Sequence, residues 1–239
     1  MAWYSTGSIQ MEKQEKLKIG NALIIPLLFV ATIGFIHFVS YALDVSFVRF
    51  GVLPRQFSGL IGILCSPLIH ANFGHLFNNS VPLLILGSAL FYFYKEIALK
   101  VSVWIYLMVG IWTWVSAREA YHIGASGFLY GLFSFLLVSG FIRRNKQLIA
   151  LSFVVIFIYG SLVWGIFPVD LTVSFEGHFW GFVAGVILAI YYRNQGPQKI
   201  EFEWEEEEED ENETDLPWSD EQEIQQGFRY EFKPKNNKN

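Results

Sequence analysis

Six long apolar stretches constrain this chain more than any other feature of its sequence. A helix needs roughly 20 mostly apolar residues to cross the hydrocarbon core of a bilayer. Stretches of about that length lie at 20–42, 74–94, 98–117, 122–142, 147–168 and 173–192. A helix also satisfies its own backbone hydrogen bonds, as lipid requires. The sequence therefore predicts an all-α membrane protein, a bundle of six transmembrane helices that lies in the lipid bilayer.

The positive charges at the ends of these stretches predict their orientation. Lysines and arginines occur in the polar segment 1–19, at Lys95 and Lys100, in "RRNK" at 143–146, and at Arg193. All of these groups fall on one side if the chain starts inside, which is the side that such residues favour. The first stretch is too long for the apolar region of a cleavable signal peptide, so we expect it to be retained. We predict that both termini lie inside.

Charge divides the chain into a body and a tail. Up to Arg193 there are 12 Lys and Arg residues against 7 Asp and Glu, whereas from Asn194 onward there are 5 against 15. Like charges repel and little apolar surface is available for burial, so the tail, 194–239, is predicted to be disordered in the cytoplasm. The domains are then a cytoplasmic segment (1–19), a six-span body (20–193) and this tail. We expect no nucleic acid among the partners.

Cysteine chemistry is limited by the single residue Cys65. It rules out an internal disulfide and a multi-cysteine metal site. A lone cysteine is most often a small buried hydrophobe, and its role here stays open.

Polar residues inside the predicted spans converge on one depth. Such residues are costly in a membrane and are therefore functional candidates. His75 and Asn79 open the second span, Ser126 is expected about one turn into the fourth, and His178 about five residues into the sixth. The three spans run in the same direction, and a helix rises 1.5 Å per residue. The sequence therefore predicts one polar site just below the outer surface.

Glycines indicate which spans meet at that site. Gly127 and Gly131 lie on the fourth span, and Gly181 and Gly185 on the sixth. Small residues at this spacing let membrane helices approach closely. His178 shares a helix face with Gly181 and Gly185. Contact between the two glycine faces would bring His178 to the serine of the fourth span.

These residue types suit nucleophilic catalysis. A serine hydroxyl needs a base to take its proton, and histidine fits that role near neutral pH. Attack on an amide creates an oxyanion that requires hydrogen-bond donors. His75 and Asn79, four residues apart on one helix face, and the backbone N–H of Ser126 could supply them. Spacing alone does not choose the base among the four outer histidines, which are His70, His75, His122 and His178.

An orienting carboxylate for the base is not evident in the sequence. Glu176 is two residues before His178 and should point to another helix face. The sequence therefore predicts a Ser–His pair rather than a triad.

The set "HANFGHLFNN" (70–79), "GASG" (124–127) and "GHFWGFVAG" (177–185) resembles the rhomboid intramembrane serine proteases. The resemblance covers the body, about 20–193. It implies that Ser126 is the nucleophile and that His178 is the base, with Gly181 in the following H-x-x-G. It also implies that His75 and Asn79 are oxyanion donors.

Supporting roles follow from the same resemblance. Gly124 and Gly127 flank the serine, His70 matches a supportive histidine, and Tyr130 matches a tyrosine whose ring packs on the base. His122 has no catalytic counterpart and is interpreted as structural.

The implied reaction is hydrolysis of a peptide bond in or near a transmembrane segment, close to the outer face. The implied partners are transmembrane protein substrates, and no metal or cofactor is needed. The six-span form favours a bacterial cytoplasmic membrane, and the sequence does not indicate an oligomeric state.

Two other functions compete with proteolysis. One is a catalytically inactive rhomboid-like protein that binds membrane clients, for which loss of Ser126 or His178 would be the signature. The other is a six-span transporter. The inner halves of the fourth and sixth spans, "FSFLLVSGF" and "VILAIYY", are nearly devoid of ionisable groups, which argues against a polar path through the membrane.

Overall fold

The computed structural model describes residues 3–158, 165–168 and 173–196, and only the backbone of 3–11 and 158. The acidic tail beyond 196, with its predicted disorder, lies outside the described residues. Within these residues the regular secondary structure is helical, and the only β-type pairing is one isolated bridge between two residues. Its helices are α1 (Trp3–Ala42), α2 (Gly62–Cys65), α3 (Phe73–Phe93), α4 (Ala98–Ser116), α5 (Ser126–Ile142), α6 (Lys146–Ile158) and α7 (Phe175–Tyr191).

Among the described residues, three helices are long and apolar enough to cross a membrane by length and composition: Glu12–Ala42 within α1, α3 and α4. Helices α3 and α4 agree with the predicted spans within a residue. The first span is part of a longer helix, because α1 continues back to Trp3 without a break. Helices α5 and α7 are apolar but have only 17 residues each. This length corresponds to about 25 Å.

The predicted start of the fourth span at 122 is wrong. Helix α5 begins at Ser126. Gly124 has a φ of 105°, and His122 forms the isolated antiparallel bridge with Val52, so neither residue can belong to the helix. The helix of the predicted sixth span, α7, begins at Phe175, two residues after the predicted start.

Helix α5 is the central element of the bundle. Twelve of its 17 residues are buried, and it packs against α3, α4, α6 and α7, most extensively against α7. Helix α1 packs on α3, where Pro26 lies against Gly87. Most of α5 is thus enclosed by neighbouring helices.

Glycines allow α5 and α7 to lie in close contact. A Cβ on Gly181 would overlap with the carbonyl oxygen of Gly127, and a Cβ on Gly185 would overlap with that of Gly131. Ser134 of α5 donates its hydroxyl hydrogen to the carbonyl of Phe182, 2.9 Å away. The predicted contact between the glycine faces is present, and it sets the distance between the two helices.

The long connection between α1 and α3 is pinned to α4. It contains α2 and three 3-10 turns, Val48–Phe50, Phe57–Ile61 and Ser66–Leu68. The indole of Trp114 donates to the carbonyl of Gln56 at 2.9 Å. The guanidinium of Arg55 donates to the carbonyl of Ala117 at 2.7 Å.

The same connection supports the segment that leads into α5. Val52 and His122 exchange backbone hydrogen bonds of 3.0 and 2.8 Å, and the N–H of Gly124 donates to the carbonyl of Ser66 at 2.8 Å. These bonds fix the backbone immediately before Ser126.

Candidate active site

Ser126 is the first residue of α5, not one turn inside it as the sequence suggested. The N–H groups in the first turn of a helix have no intrahelical acceptor and lie at the positive end of the helix dipole. The half-buried Ser126 therefore combines a hydroxyl group with backbone N–H groups suited to a developing negative charge.

A glycine turn delivers the serine to this position. Gly124 adopts the left-handed backbone that favours glycine, with a φ of 105°. A Cβ at Gly124 would also lie 2.7 Å from Cε1 and Nε2 of His75, closer than van der Waals contact. The glycine is thus required both by the turn and by the histidine ring beside it.

His178 is the fourth residue of α7 and is 5% exposed. Its Nε2 atom lies 2.7 Å from Oγ of Ser126. Its Nδ1 atom lies 2.8 Å from the carbonyl oxygen of Gly165. Because a carbonyl only accepts, Nδ1 carries the hydrogen, and in the neutral ring Nε2 has a lone pair directed at the serine hydroxyl.

Tyr130 packs on the other side of this pair. It lies four residues after Ser126 on α5, so both residues share one helix face. Its ring stacks on the imidazole of His178, with centroids 4.3 Å apart and planes at 15°. The stacked ring restricts rotation of the imidazole away from Ser126.

His75 and Asn79 converge on the backbone before the serine. Asn72 caps α3 by accepting from the N–H of His75 at 2.8 Å, which fixes the first turn of the helix. The Nδ2 of Asn79 donates to the carbonyl of His75 at 3.0 Å. The same Nδ2 atom lies 3.8 Å from the position that a Cβ on Gly124 would occupy. The His75 ring lies next to that position as well. Asn79 is 3% exposed, so its side chain is enclosed by the protein.

His70 lies behind His75 in the connection before α3. The two rings meet edge to face with centroids 5.0 Å apart. Burial, and then the charges that His75 and His37 can carry, lower the pKa of His70 from 6.5 to about 3. His70 is therefore neutral at physiological pH. His37 was not among the candidates predicted from the sequence; its ring centroid lies 4.6 Å from that of Phe73.

A cavity of about 30 Å³ lies beside the nucleophile. Its lining includes Ser126, Gly127, Ser66, Thr113 and His122. A water molecule needs roughly 10–15 Å³ by the same measure, so the cavity can hold one or two. It could equally accept a small side chain.

Two further residues of the sequence analysis, His122 and Cys65, form no hydrogen bond with Ser126 or His178 in the described part of the chain. His122 bonds to Ser174 and to the backbone of Arg118 rather than to Ser126. Cys65 lines a separate apolar cavity beside α1. Among the described residues, no group of three or more His, Cys, Asp or Glu side chains could hold a metal ion.

The structure also contains groups that the sequence reasoning missed. The carbonyl of Gly165 accepts the hydrogen bond from Nδ1 of His178, in the place where a triad would have a carboxylate. No sequence pattern predicts which backbone carbonyl takes this role. The ion pair between Arg118 and Glu176 was missed as well, although an acidic residue two positions before the base was a usable signal.

The fold and the site together define a helical membrane protein in which a half-buried serine, Ser126, lies beside a buried histidine, His178. The chain matches the rhomboid domain over residues 57–195, and it belongs to the rhomboid family. This confirms the resemblance found in the sequence.

Its relatives include uncharacterized proteins of Mycobacterium bovis and Mycobacterium tuberculosis. Each is 36% identical over 202 residues, covering 77% of this chain and 80% of the relative. An uncharacterized protein of Mycobacterium leprae is 33% identical over 177 residues, covering 68% of each chain.

Proposed function

We propose that this protein is an intramembrane serine endopeptidase in which Ser126 is the nucleophile and His178 is the general base. The observation that carries the proposal is the 2.7 Å distance between Oγ of Ser126 and Nε2 of His178. The acceptor for Nδ1 at Gly165 supports it, because it leaves the lone pair on the nitrogen that faces the hydroxyl.

In the first step, Nε2 of His178 takes the hydroxyl proton of Ser126 while Oγ forms a bond to the substrate carbonyl carbon. The oxyanion accepts hydrogen bonds from the N–H of Ser126 and from the side chains of His75 and Asn79. When the amide C–N bond breaks, His178 returns the proton to the leaving nitrogen. Water then hydrolyses the acyl-enzyme by the same sequence of proton transfers.

The substrates of this proposal are transmembrane proteins with small residues at the cleaved bond. An intact helix keeps its carbonyls in i to i−4 hydrogen bonds, so the segment must unwind before attack. The small cavity beside Ser126 is consistent with a small side chain at that position. The reaction needs no metal or cofactor.

The proposed topology has six spans, with 1–19 and the tail 194–239 on the cytoplasmic side. Helices α5, α6 and α7 supply the three spans beyond the long helices. Clustered Lys and Arg residues on one side support the orientation. The relatives come from bacteria, which supports a location in the bacterial cytoplasmic membrane.

The test is cleavage of a tagged model transmembrane substrate in proteoliposomes, with labelling by a serine-reactive fluorophosphonate. We expect the native chain to cleave and to be labelled, and Ser126→Ala and His178→Ala to do neither. Ser152→Ala is the matched control, because this serine on α6 bonds back to the carbonyl of Leu148 at 2.9 Å. It should retain activity.

The other outcomes overturn the proposal. Cleavage by Ser126→Ala would remove the assigned nucleophile. A native chain that binds several transmembrane proteins but is not labelled would indicate an inactive client-binding protein. Solute flux through vesicles without labelling would indicate a transporter.

A further inference from the structure

Two segments next to the catalytic pair are tied together by side-chain contacts. One is the connection between α4 and α5, which leads to Ser126, and the other is the start of α7, which carries His178. Arg118 in the first segment uses its NH1 to donate to Oε2 of Glu176 in the second, at 2.8 Å. Its backbone N–H donates to Oε1 of the same carboxylate at 3.2 Å.

Arg118 also holds the backbone before α7. Its NH2 donates to the carbonyl of Val173 at 2.8 Å, and its guanidinium lies 5.1 Å from the ring centroid of Phe175. The side chains of Arg118 and Glu176 are 31% and 12% exposed. Partial burial strengthens such a pair relative to one on an open surface. Glu176 further lies in the first turn of α7, where the helix dipole favours a negative charge.

A second tie joins the same two segments through His122 and Ser174. Nε2 of His122 lies 3.0 Å from the carbonyl oxygen of Arg118, so this nitrogen carries the hydrogen. Nδ1 is then the acceptor in the neutral ring, and the hydroxyl of Ser174, 2.6 Å away, is its donor.

Because Ser174 makes this hydrogen bond to His122, its side chain does not cap α7. It occupies the N-cap position of α7, where a serine oxygen normally accepts from a first-turn N–H, yet it makes no such bond. A serine cap typically stabilises a helix by about 1 kcal/mol. Its hydroxyl instead bonds to His122, which is four positions before Ser126.

We propose that Arg118, His122, Ser174 and Glu176 form a positioning clamp that sets the distance between Ser126 and His178. The inference rests on the proposed proteolysis. Glu176 is two residues before His178, and His122 is four before Ser126, so the clamp and the catalytic pair join the same two segments. Displacement of a reacting group by about 1 Å can reduce a rate about 100-fold. A looser clamp should therefore slow the proton transfer from Ser126 to His178.

The experiment is a double-mutant cycle with Arg118→Ala, Glu176→Ala and the double variant in proteoliposomes. The measurements are kcat and KM for a model substrate and the rate of fluorophosphonate labelling of Ser126. We expect each single variant to lower kcat and the labelling rate by about 10- to 100-fold, with KM changed by less than about threefold. The double variant should be no slower than the slower single variant, because both remove one shared contact.

Controls separate this effect from a general loss of folding. Glu119→Ala removes an exposed carboxylate from the same connection and should leave kcat unchanged. Ser174→Ala should lower kcat in the same direction as the ion-pair variants. All rates are measured well below each variant's melting temperature, so that a purely structural role would leave kcat intact.

Three results would overturn the clamp. They are an unchanged kcat and labelling rate in both single variants, an additive double variant, or an effect confined to KM. A native chain that is neither labelled nor active would overturn the proposed function itself and this proposal with it. Labelling of the native chain at the same rate as the variants would overturn the clamp alone.

Discussion

The ring of Tyr130 stacks on the imidazole of His178, with centroids 4.3 Å apart and planes inclined by 15°. Both rings are buried, at 3% and 5% exposure. The stack and the bond from Nδ1 of His178 to Gly165 hold the imidazole from two directions. Its orientation toward Ser126 is therefore fixed before any substrate arrives.

This contact predicts a difference between two substitutions of Tyr130. Tyr130→Phe keeps the stacked ring and should retain kcat within about twofold. Tyr130→Leu removes the stack, which is worth about 0.5–1.5 kcal/mol, and should lower kcat by roughly 2- to 12-fold. Steady-state cleavage of a model substrate measures both. A loss in Tyr130→Phe as large as that in Tyr130→Leu would instead assign the role to the hydroxyl group.

The donors on α3 should act on the transition state. His75→Ala and Asn79→Ala should each lower kcat about 100-fold with little change in KM, as expected for loss of one oxyanion donor. Ser80→Ala is the control, because that hydroxyl bonds to the carbonyl of Leu76 at 2.8 Å. Equal losses in kcat for Asn79→Ala and Ser80→Ala would count against a specific role for Asn79.

The contact between α5 and α7 predicts a large effect from one methyl group. Gly181→Ala forces a Cβ into the carbonyl oxygen of Gly127 and should destabilise the fold by about 1–3 kcal/mol. Gly34→Ala on α1 is the matched control, since a Cβ there would meet nothing within 4 Å. Thermal unfolding in detergent micelles compares the two variants. Similar melting temperatures would show that the helices separate without penalty.

His70 predicts how stability depends on pH. Its pKa is about 3 in the folded chain against 6.5 for the ordinary group, mainly because of burial. Below pH 6.5 the imidazole of His70 binds a proton in the unfolded chain but stays neutral in the folded chain until the pH approaches 3. The stability is therefore complete above that pH and decreases as the pH falls toward 3, by about 2 kcal/mol at pH 5.

The measurement is the melting temperature between about pH 7.5 and pH 5 for the native chain and His70→Gln. The variant has no titrating ring at this position, so its curve should be flatter. Parallel curves for the two proteins would assign the acid sensitivity to other groups.

The sequence predicted the helices better than it predicted their ends. The lengths of the apolar stretches predicted the ends of α3 and α4 within one residue, because the apolar composition of a lipid-facing helix is a property of its own residues. The start of α5 was missed because the segment before Ser126 pairs with Val52, which is some 70 residues away. Local propensity holds no information about such a partner.

The same distinction applies to the site. Glycine spacing predicted that His178 would be brought to Ser126, and the two do lie within hydrogen-bonding distance. Spacing did not choose the base among the four outer histidines, and the family resemblance assigned that role to His178. The stacked ring of Tyr130 was expected from the resemblance, but the acceptor for Nδ1 of His178 could not be predicted, because the carbonyl of Gly165 belongs to the backbone and every residue has one. The Arg118–Glu176 pair depends on how two connections fold toward each other, which periodicity does not report.

The bond between His178 and the carbonyl of Gly165 has an electrical consequence for a site inside a bilayer. A carboxylate in that place would be a permanent anion, and removing an ion from water costs several kcal/mol. The dipole of the Gly165 carbonyl orients the imidazole of His178 in the same way without that free-energy penalty. The resting pair is then formally uncharged, and its positive and negative charges exist together only during turnover.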